Sequence, residues 1–219
     1  MEGLTVSAPR WLSLSRILDV VAGKSEWISA RLTRFEATRS LLNADKLLPQ
    51  VIALPALEEN WQVAYRQAPG VSVSTRTIPP DTLLVSGAVD ESRLCTPVLR
   101  RWLARRAKEV LGPWLETLAA ETGLHFSRLT IRNQRTRWGS CSATGSISLN
   151  CKLLFLPPDL VRYVLLHELC HTREHNHTAR YWSLLLQHEP KARTLHHRIR
   201  AAWHQIPAWA HPVRSSKKQ

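Results

Sequence analysis

The chain has 219 residues and 44% hydrophobic content, enough for a real core and too apolar for a disordered chain. Its apolar runs fall far short of a membrane span, and Met1-Glu2-Gly3 followed by Pro9 and Arg10 does not read as a secretory signal. A cytoplasmic location without membrane contact is therefore expected. The 30 basic against 17 acidic residues give a formal net charge of +13. That balance favours anionic partners, such as nucleotides or nucleic acid, but it bears on association and not on fold or chemistry. The four cysteines, Cys95, Cys141, Cys151 and Cys170, form no C-x-x-C pair and read as reduced, inert thiols.

In chain order, alternation over residues 4–7 predicts a short strand. A helix is predicted from Ser13 to Ala22, stopped by Gly23. Ser25 caps a second helix with Trp27, Ile28, Leu32 and Phe35 on its apolar stripe. From Pro49 to Ala88 the pattern changes to strands, at residues 51–54, 61–65, 71–74 and 83–86, with Pro55, Pro69-Gly70 and Pro79-Pro80 between them. Residues 1–90 thus read as a β-rich N-terminal unit with two short helices. It holds no histidine and no identifiable chemistry.

Residues 91–219 read as a second domain with a basic C-terminal tail. Thr96-Pro97 looks like the N-cap and first position of a long helix that runs to Thr122 and stops at Gly123. Gly112-Pro113 is expected to kink or split it. Its basic face (Arg100, Arg101, Arg105, Arg106, Lys108) lacks aromatics and reads as solvated. A strand at 128–132 precedes a hairpin of residues 135–141 and 146–150, joined at Ala143-Thr144-Gly145. Further helices are predicted from Thr178 to His188 and from Pro190 to Trp203, and residues 214–219 read as a tail.

Between the hairpin and those helices stands His167-Glu168-Leu169-Cys170-His171. Pro157-Pro158 and an N-cap at Asp159 open a helix whose Leu160, Val164 and Leu165 fall at burial spacing. On it, residues four apart share a face, so the two imidazoles can reach one metal ion while Glu168 stays close enough to take a proton from water. A catalytic zinc site needs a third protein ligand. On a continued helix His175 would lie about 12 Å from His167, too far to share an ion. A turn at Asn176, which tolerates the left-handed conformation, makes His177 the favoured ligand; His175 and a more distant Glu stay open.

Arg137-Trp138-Gly139-Ser140-Cys141, Ile147-Ser148-Leu149-Asn150, Pro157, Tyr163-Val164 before the His-Glu-x-x-His run, Asn176-His177 and Tyr181-Trp182 carry a resemblance. The chain resembles the YgjP-like metal-dependent hydrolases of the WLM group, related to SprT-like and Wss1-type metalloproteases. The likeness is continuous from Trp102 to Trp182, with weaker traces at residues 6–9 and 26–28. It implies an α+β, minimal zincin-like domain with a small sheet against the active-site helix. It also implies one Zn2+ per chain on His167, His171 and His177, with Glu168 catalytic. The chain departs from the family by starting at what looks like the second strand, by Cys151 where Trp is common, and by Thr178 and Tyr181 in place of Ser and Phe.

The expected function is a zinc-dependent hydrolase, foremost a metallopeptidase that uses a zinc-activated water with Glu168 as general base. The strand at 138–142 is the candidate edge for an extended peptide, and Arg137, Trp138, Gly139 and Ser140 are candidate substrate-binding residues. Arg137 could also serve as a structural partner, and Trp138 could simply pack. Two other readings use the same metal site. One is a nucleotide or phosphoester hydrolase of the nucleoside triphosphate pyrophosphohydrolase type. The other is a DNA-associated protease held by the basic surface.

Overall fold

The computed structural model describes residues 13–26 and 48–212. The strand expected at 4–7, the helix stripe from Trp27 to Phe35 and the tail at 214–219 lie outside them. The chain divides into two compact units, Met1–Ala44 and Asp45–Gln219. In the first, helix α1 spans Leu14–Ala22, where it was expected. The Ser13 hydroxyl accepts from the Arg16 N–H at 3.4 Å, and Gly23 follows as the C-cap.

The second unit begins with four strands: β1 (Val51–Leu54), β2 (Glu59–Gln67), β3 (Val73–Ile78) and β4 (Thr82–Gly87). They form a sheet of order β1-β2-β4-β3, antiparallel except for the parallel β2–β4 pair. Its buried positions alternate, with Ile52 and Leu54, Trp61 and Val63, and Leu83 and Val85 turned to one side. The third strand starts later than expected. It takes its register from β4, with Val73 opposite Gly87 and Ile78 opposite Thr82.

Helix α2 spans Ser92–Thr122. It begins a turn before the expected Thr96 N-cap, and the Thr96 hydroxyl instead donates back to the Ser92 carbonyl at 2.8 Å. Pro97 and Pro113 lie within it, so the expected break at Gly112-Pro113 does not divide the helix. Burial explains why. Leu99, Leu103, Ala107, Leu111, Leu115 and Leu118 recur at helical spacing and are buried on both sides of Pro113. Packing of that stripe outweighs the loss of one backbone donor. Helix α2 ends at Gly123 in the left-handed conformation, φ 68°, as its sequence predicts.

A second, three-stranded sheet has the order β5-β7-β6, with β5 Arg128–Arg132, β6 Gly139–Cys141 and β7 Ser146–Asn150. Strands β5 and β7 run parallel, and β6 and β7 antiparallel. Strand β6 is shorter than the predicted 135–141, because residues 134–137 are held by long-range bonds instead. The buried Asn150 carboxamide donates to the carbonyls of Gln134 and Arg137 at 2.9 and 2.8 Å, and the buried Lys152 ammonium donates to Gln134 as well. Residues Cys151–Phe155 form a 3-10 turn, fully packed in the core, that leads into the next helix.

Helix α3 spans Pro158–Cys170 and packs against β6 and α2. Its N-cap is Pro157, not the expected Asp159, with Pro158 in the first turn where its missing N–H costs nothing. Asp159 sits in that turn beside the helix dipole and pairs with Arg198. Helices α4 (Ala179–His188) and α5 (Ala192–Ala201) follow and pack on α3. No helix among the described residues is long and apolar enough to cross a membrane.

Candidate metal centre

The last turn of α3 presents His167, and His171 is its C-cap. The chain then turns back through residues 172–178 and brings His177 to the same point. The three Nε2 atoms lie 3.2 Å apart for His167–His171, 3.2 Å for His171–His177 and 3.3 Å for His167–His177. Among the described residues, this is the one cluster of His, Cys, Asp or Glu that could hold a metal ion. His175 does not join it. The reversal does not come from a left-handed Asn176, because Glu58 alone among the described non-glycine residues has positive φ. It is made by stepped backbone bonds, Thr172 N to Leu169 O at 3.0 Å, Glu174 N to Cys170 O at 2.9 Å and Thr178 N to Asn176 O at 2.7 Å.

The hydrogen bonds on the far side of the rings fix how the nitrogens point. His171 Nδ1 meets the Glu174 carbonyl at 3.0 Å. A carbonyl only accepts, so Nδ1 carries the proton and Nε2 presents its lone pair. His167 Nδ1 lies 2.6 Å from the Tyr181 oxygen, and that hydroxyl donates to the His167 carbonyl at 3.4 Å. His167 therefore donates from Nδ1, and its Nε2 lone pair also faces the cluster. Lone pairs converging at this spacing repel unless a cation lies between them. Tetrahedral zinc with nitrogen ligands at about 2.0–2.1 Å sets neighbouring nitrogens about 3.3 Å apart, so the residues fit such an ion.

Burial acts on the same groups. It holds His167 down to about 3, with the nearby His171, His177 and His196 rings acting in the same direction. It also lowers His171 against the opposing bond to Glu174. His167 and His171 are thus neutral, the form that binds a metal.

Glu168 is 4% exposed and its Oε2 has no hydrogen-bond partner. Burial pushes its carboxyl up to about 8, with the Arg137 charge drawing it the other way. A divalent cation nearby would add to the pull of Arg137. The carboxylate rests against β6 at Gly139. A methyl group placed there would come within 2.5 Å of Oε1 and 2.8 Å of Cδ. Only glycine leaves room for the acid.

The four residues expected to touch substrate fall in different places. Gly139 and Ser140 lie in β6, the sheet's edge strand, and Arg137 is exposed just before it. The Trp138 ring is buried, stacked on Trp203 with centroids 3.9 Å apart, and donates to the Ile199 carbonyl at 3.2 Å. Cys170 is fully buried, in keeping with an inert thiol.

Two groups around the cluster were not anticipated. Tyr181 holds His167 and stacks on His171 with ring centroids 4.5 Å apart. Tyr163 reaches His167 Nδ1 at 3.4 Å and His196 Nδ1 at 3.0 Å. Tyr163 stands four residues before His167, so the helical spacing that pairs the histidines would also have found it.

A helix that carries two imidazoles able to hold a metal and a buried glutamate, closed by a third imidazole from the following turn, defines the chain as a candidate metallohydrolase. Comparison with known proteins gives the family. The profile of the YgjP-like family, metallopeptidase domain, matches residues 1–202, and the chain belongs to that family. It is accordingly a metal-dependent peptidase by class, with a catalytic metal and a peptide or protein as the substrate the family suggests. Among solved structures, the metallopeptidase zymogen of Pyrococcus abyssi abylysin is 23% identical with a TM-score of 0.40, covering 43% of this chain and 95% of that one. The metallopeptidase zymogen of Methanocaldococcus jannaschii jannalysin is 20% identical with a TM-score of 0.35, covering 39% and 88%. Comparison with curated proteins gives no match.

Proposed function

We propose that the chain is a zinc-dependent metallopeptidase with a minimal zincin-like catalytic domain in residues 91–219, His167, His171 and His177 as metal ligands and Glu168 as general base. The observation that carries this reading is the meeting of three Nε2 atoms at 3.2–3.3 Å next to a buried glutamate whose Oε2 has no partner. Residues 1–90 contribute none of these groups; their four-stranded sheet shares one compact unit with the proposed catalytic domain.

A bound zinc ion supplies Lewis acidity, which makes a water acidic near neutral pH and polarises the carbonyl to be attacked. The protein does the rest. His167 and His171 stay neutral through burial and keep their Nε2 atoms aimed inward through the Tyr181 and Glu174 bonds. Glu168 takes a proton from the attacking water at its free carboxylate oxygen and returns it to the leaving amine. Gly139 gives that carboxylate its space. The outer edge of β6 offers unpaired backbone groups to an extended peptide beside Ser140, with Arg137 alongside.

Two variants separate the roles. Glu168→Gln keeps one zinc per chain and loses turnover. His177→Ala loses zinc affinity under chelator competition. An active Glu168→Gln protein rules out the base, and undiminished zinc affinity in His177→Ala rules out the third ligand. Parallel assays on casein-like proteins and nucleoside triphosphates then decide the substrate, and cleavage of triphosphates alone would replace the peptidase reading.

A further inference from the structure

An open groove of about 480 Å3 crosses the outer face of the three-stranded sheet. The strand register says which side chains line it. Thr130 stands opposite Ser148, and Ser148 opposite Ser140, so three small hydroxyl residues form a row across all three strands. Ile147 and Leu149 point to the other, buried face. Arg128 and Arg132 lie two residues to either side of Thr130 and so share its face. Arg137 joins them from the loop before β6, and all three arginines are exposed. The small residues across the three strands leave the space open, and the arginines give it one sign of charge.

No acidic side chain among the described residues lines this groove. Among the described residues, none of its three arginines takes part in an ion pair. None of His167, Glu168, His171 and His177 lines the groove; its connection to them runs through β6 and Arg137. Ser140 follows Gly139, which rests on Glu168, and the Arg137 charge acts on the Glu168 carboxyl. A peptide laid along the free edge of β6 would send alternate side chains over this face. None of the described residues that line it is aromatic, so they give nucleic-acid bases no platform on which to stack.

We propose that this face selects the substrate: a stretch of polypeptide rich in Glu and Asp docks in the groove and pairs with Arg128, Arg132 and Arg137. The proposal rests on the peptidase reading above and names its substrate class, an acidic stretch of polypeptide. Arginine suits the task because its planar fork takes a carboxylate by two bonds.

Fluorescence anisotropy tests it with the full chain and labelled octa-glutamate, octa-glutamine and octa-lysine peptides, with oligo-thymidylate as a competitor of equal charge. Octa-glutamate is expected to bind at least about tenfold more tightly than octa-glutamine at low salt. That advantage should collapse as salt rises to about 0.3 M. The Arg128→Glu/Arg132→Glu protein should lose the preference, and Arg128→Gln/Arg132→Gln should weaken it. Arg66→Glu, an exposed change of equal charge on the other sheet, should keep it. A preference absent from the start, or untouched by both double variants while thermal unfolding shows them folded, overturns the proposal. Tighter binding of the oligonucleotide than of octa-glutamate overturns it in favour of nucleic acid. Binding is read apart from cleavage. A chain that binds octa-glutamate as described but cuts no acidic protein overturns the peptidase reading and the substrate role, while the ligand class of the groove stands.

Discussion

Two of the three clustered histidines, His167 and His171, are held from behind, and the holding groups predict how the site fails. Tyr181→Phe removes the hydroxyl that meets His167 at 2.6 Å and keeps the ring stacked on His171. Losing such a supporting bond typically lowers metal affinity by about tenfold or more, measurable by chelator competition. Unchanged affinity would mean the hydroxyl does not orient His167. Gly139→Ala acts on the other partner. The added methyl meets the Glu168 carboxylate at 2.5 Å, so the acid must move. Peptide turnover is expected to drop about a hundredfold, since small misplacements of a reacting group cost that much, with zinc content unchanged. A variant of normal turnover would show that Glu168 does not need its present place. That His167 and His171 share a face was legible in the sequence because one turn of helix fixes it, whereas His177 was expected through a left-handed Asn176 that the chain does not have. Tyr181 and Gly139 were not assigned these roles, because theirs depend on where α4 and β6 pack.

At the scale of elements, local signals worked where local energetics decide. Ser13 and Gly23 bound α1, and Gly123 ends α2, as read from residue type alone. They failed where distant contacts decide. Pro113 does not divide α2 because leucines on both sides of it are buried together. Asn176 is not left-handed, since stepped backbone bonds already turn the chain. The short β6 follows from Asn150, which reaches back 13 and 16 residues to hold two carbonyls. Asn150→Ala should leave the Arg137 carbonyl unpartnered, Gln134 keeping Lys152, and cost about 1–3 kcal/mol, read from urea unfolding, with faster hydrogen exchange in residues 134–141. An unchanged midpoint would mean the loop holds itself. The groove had its own signal in the alternation of Arg128, Thr130 and Arg132 and of Ser146 and Ser148, but a strand pattern alone does not say which face meets solvent.

For the whole molecule, one of the basic residues behind the net charge of +13 lies inside the core. Lys152 has no exposed surface, its ammonium lies 5.6 Å from the Trp203 ring centre, and it donates to Gln134. Burial holds it down to about 8, with Arg135 and Arg100 pushing the same way and Cys151 opposing. The unfolded chain keeps its proton up to about 10.5, so between those values the unfolded state binds more protons and stability rises with pH. The contribution is complete above the unfolded value and absent below about 8. Cysteines titrate in the same range, so the comparison with Lys152→Met isolates it: wild type should gain on the variant as pH rises from 8 to 10.5. A constant gap between their unfolding midpoints would show the lysine stays charged.

The central claim, that one zinc on three histidines with Glu168 beside it makes this chain a peptidase, is tested most directly by titrating zinc into chelator-stripped protein while following cleavage of a casein-like substrate. Cleavage should be absent without metal, rise linearly to one zinc per chain, and stay absent throughout in Glu168→Gln. Full cleavage by the stripped protein, or by the zinc-loaded Glu168→Gln chain, would contradict it.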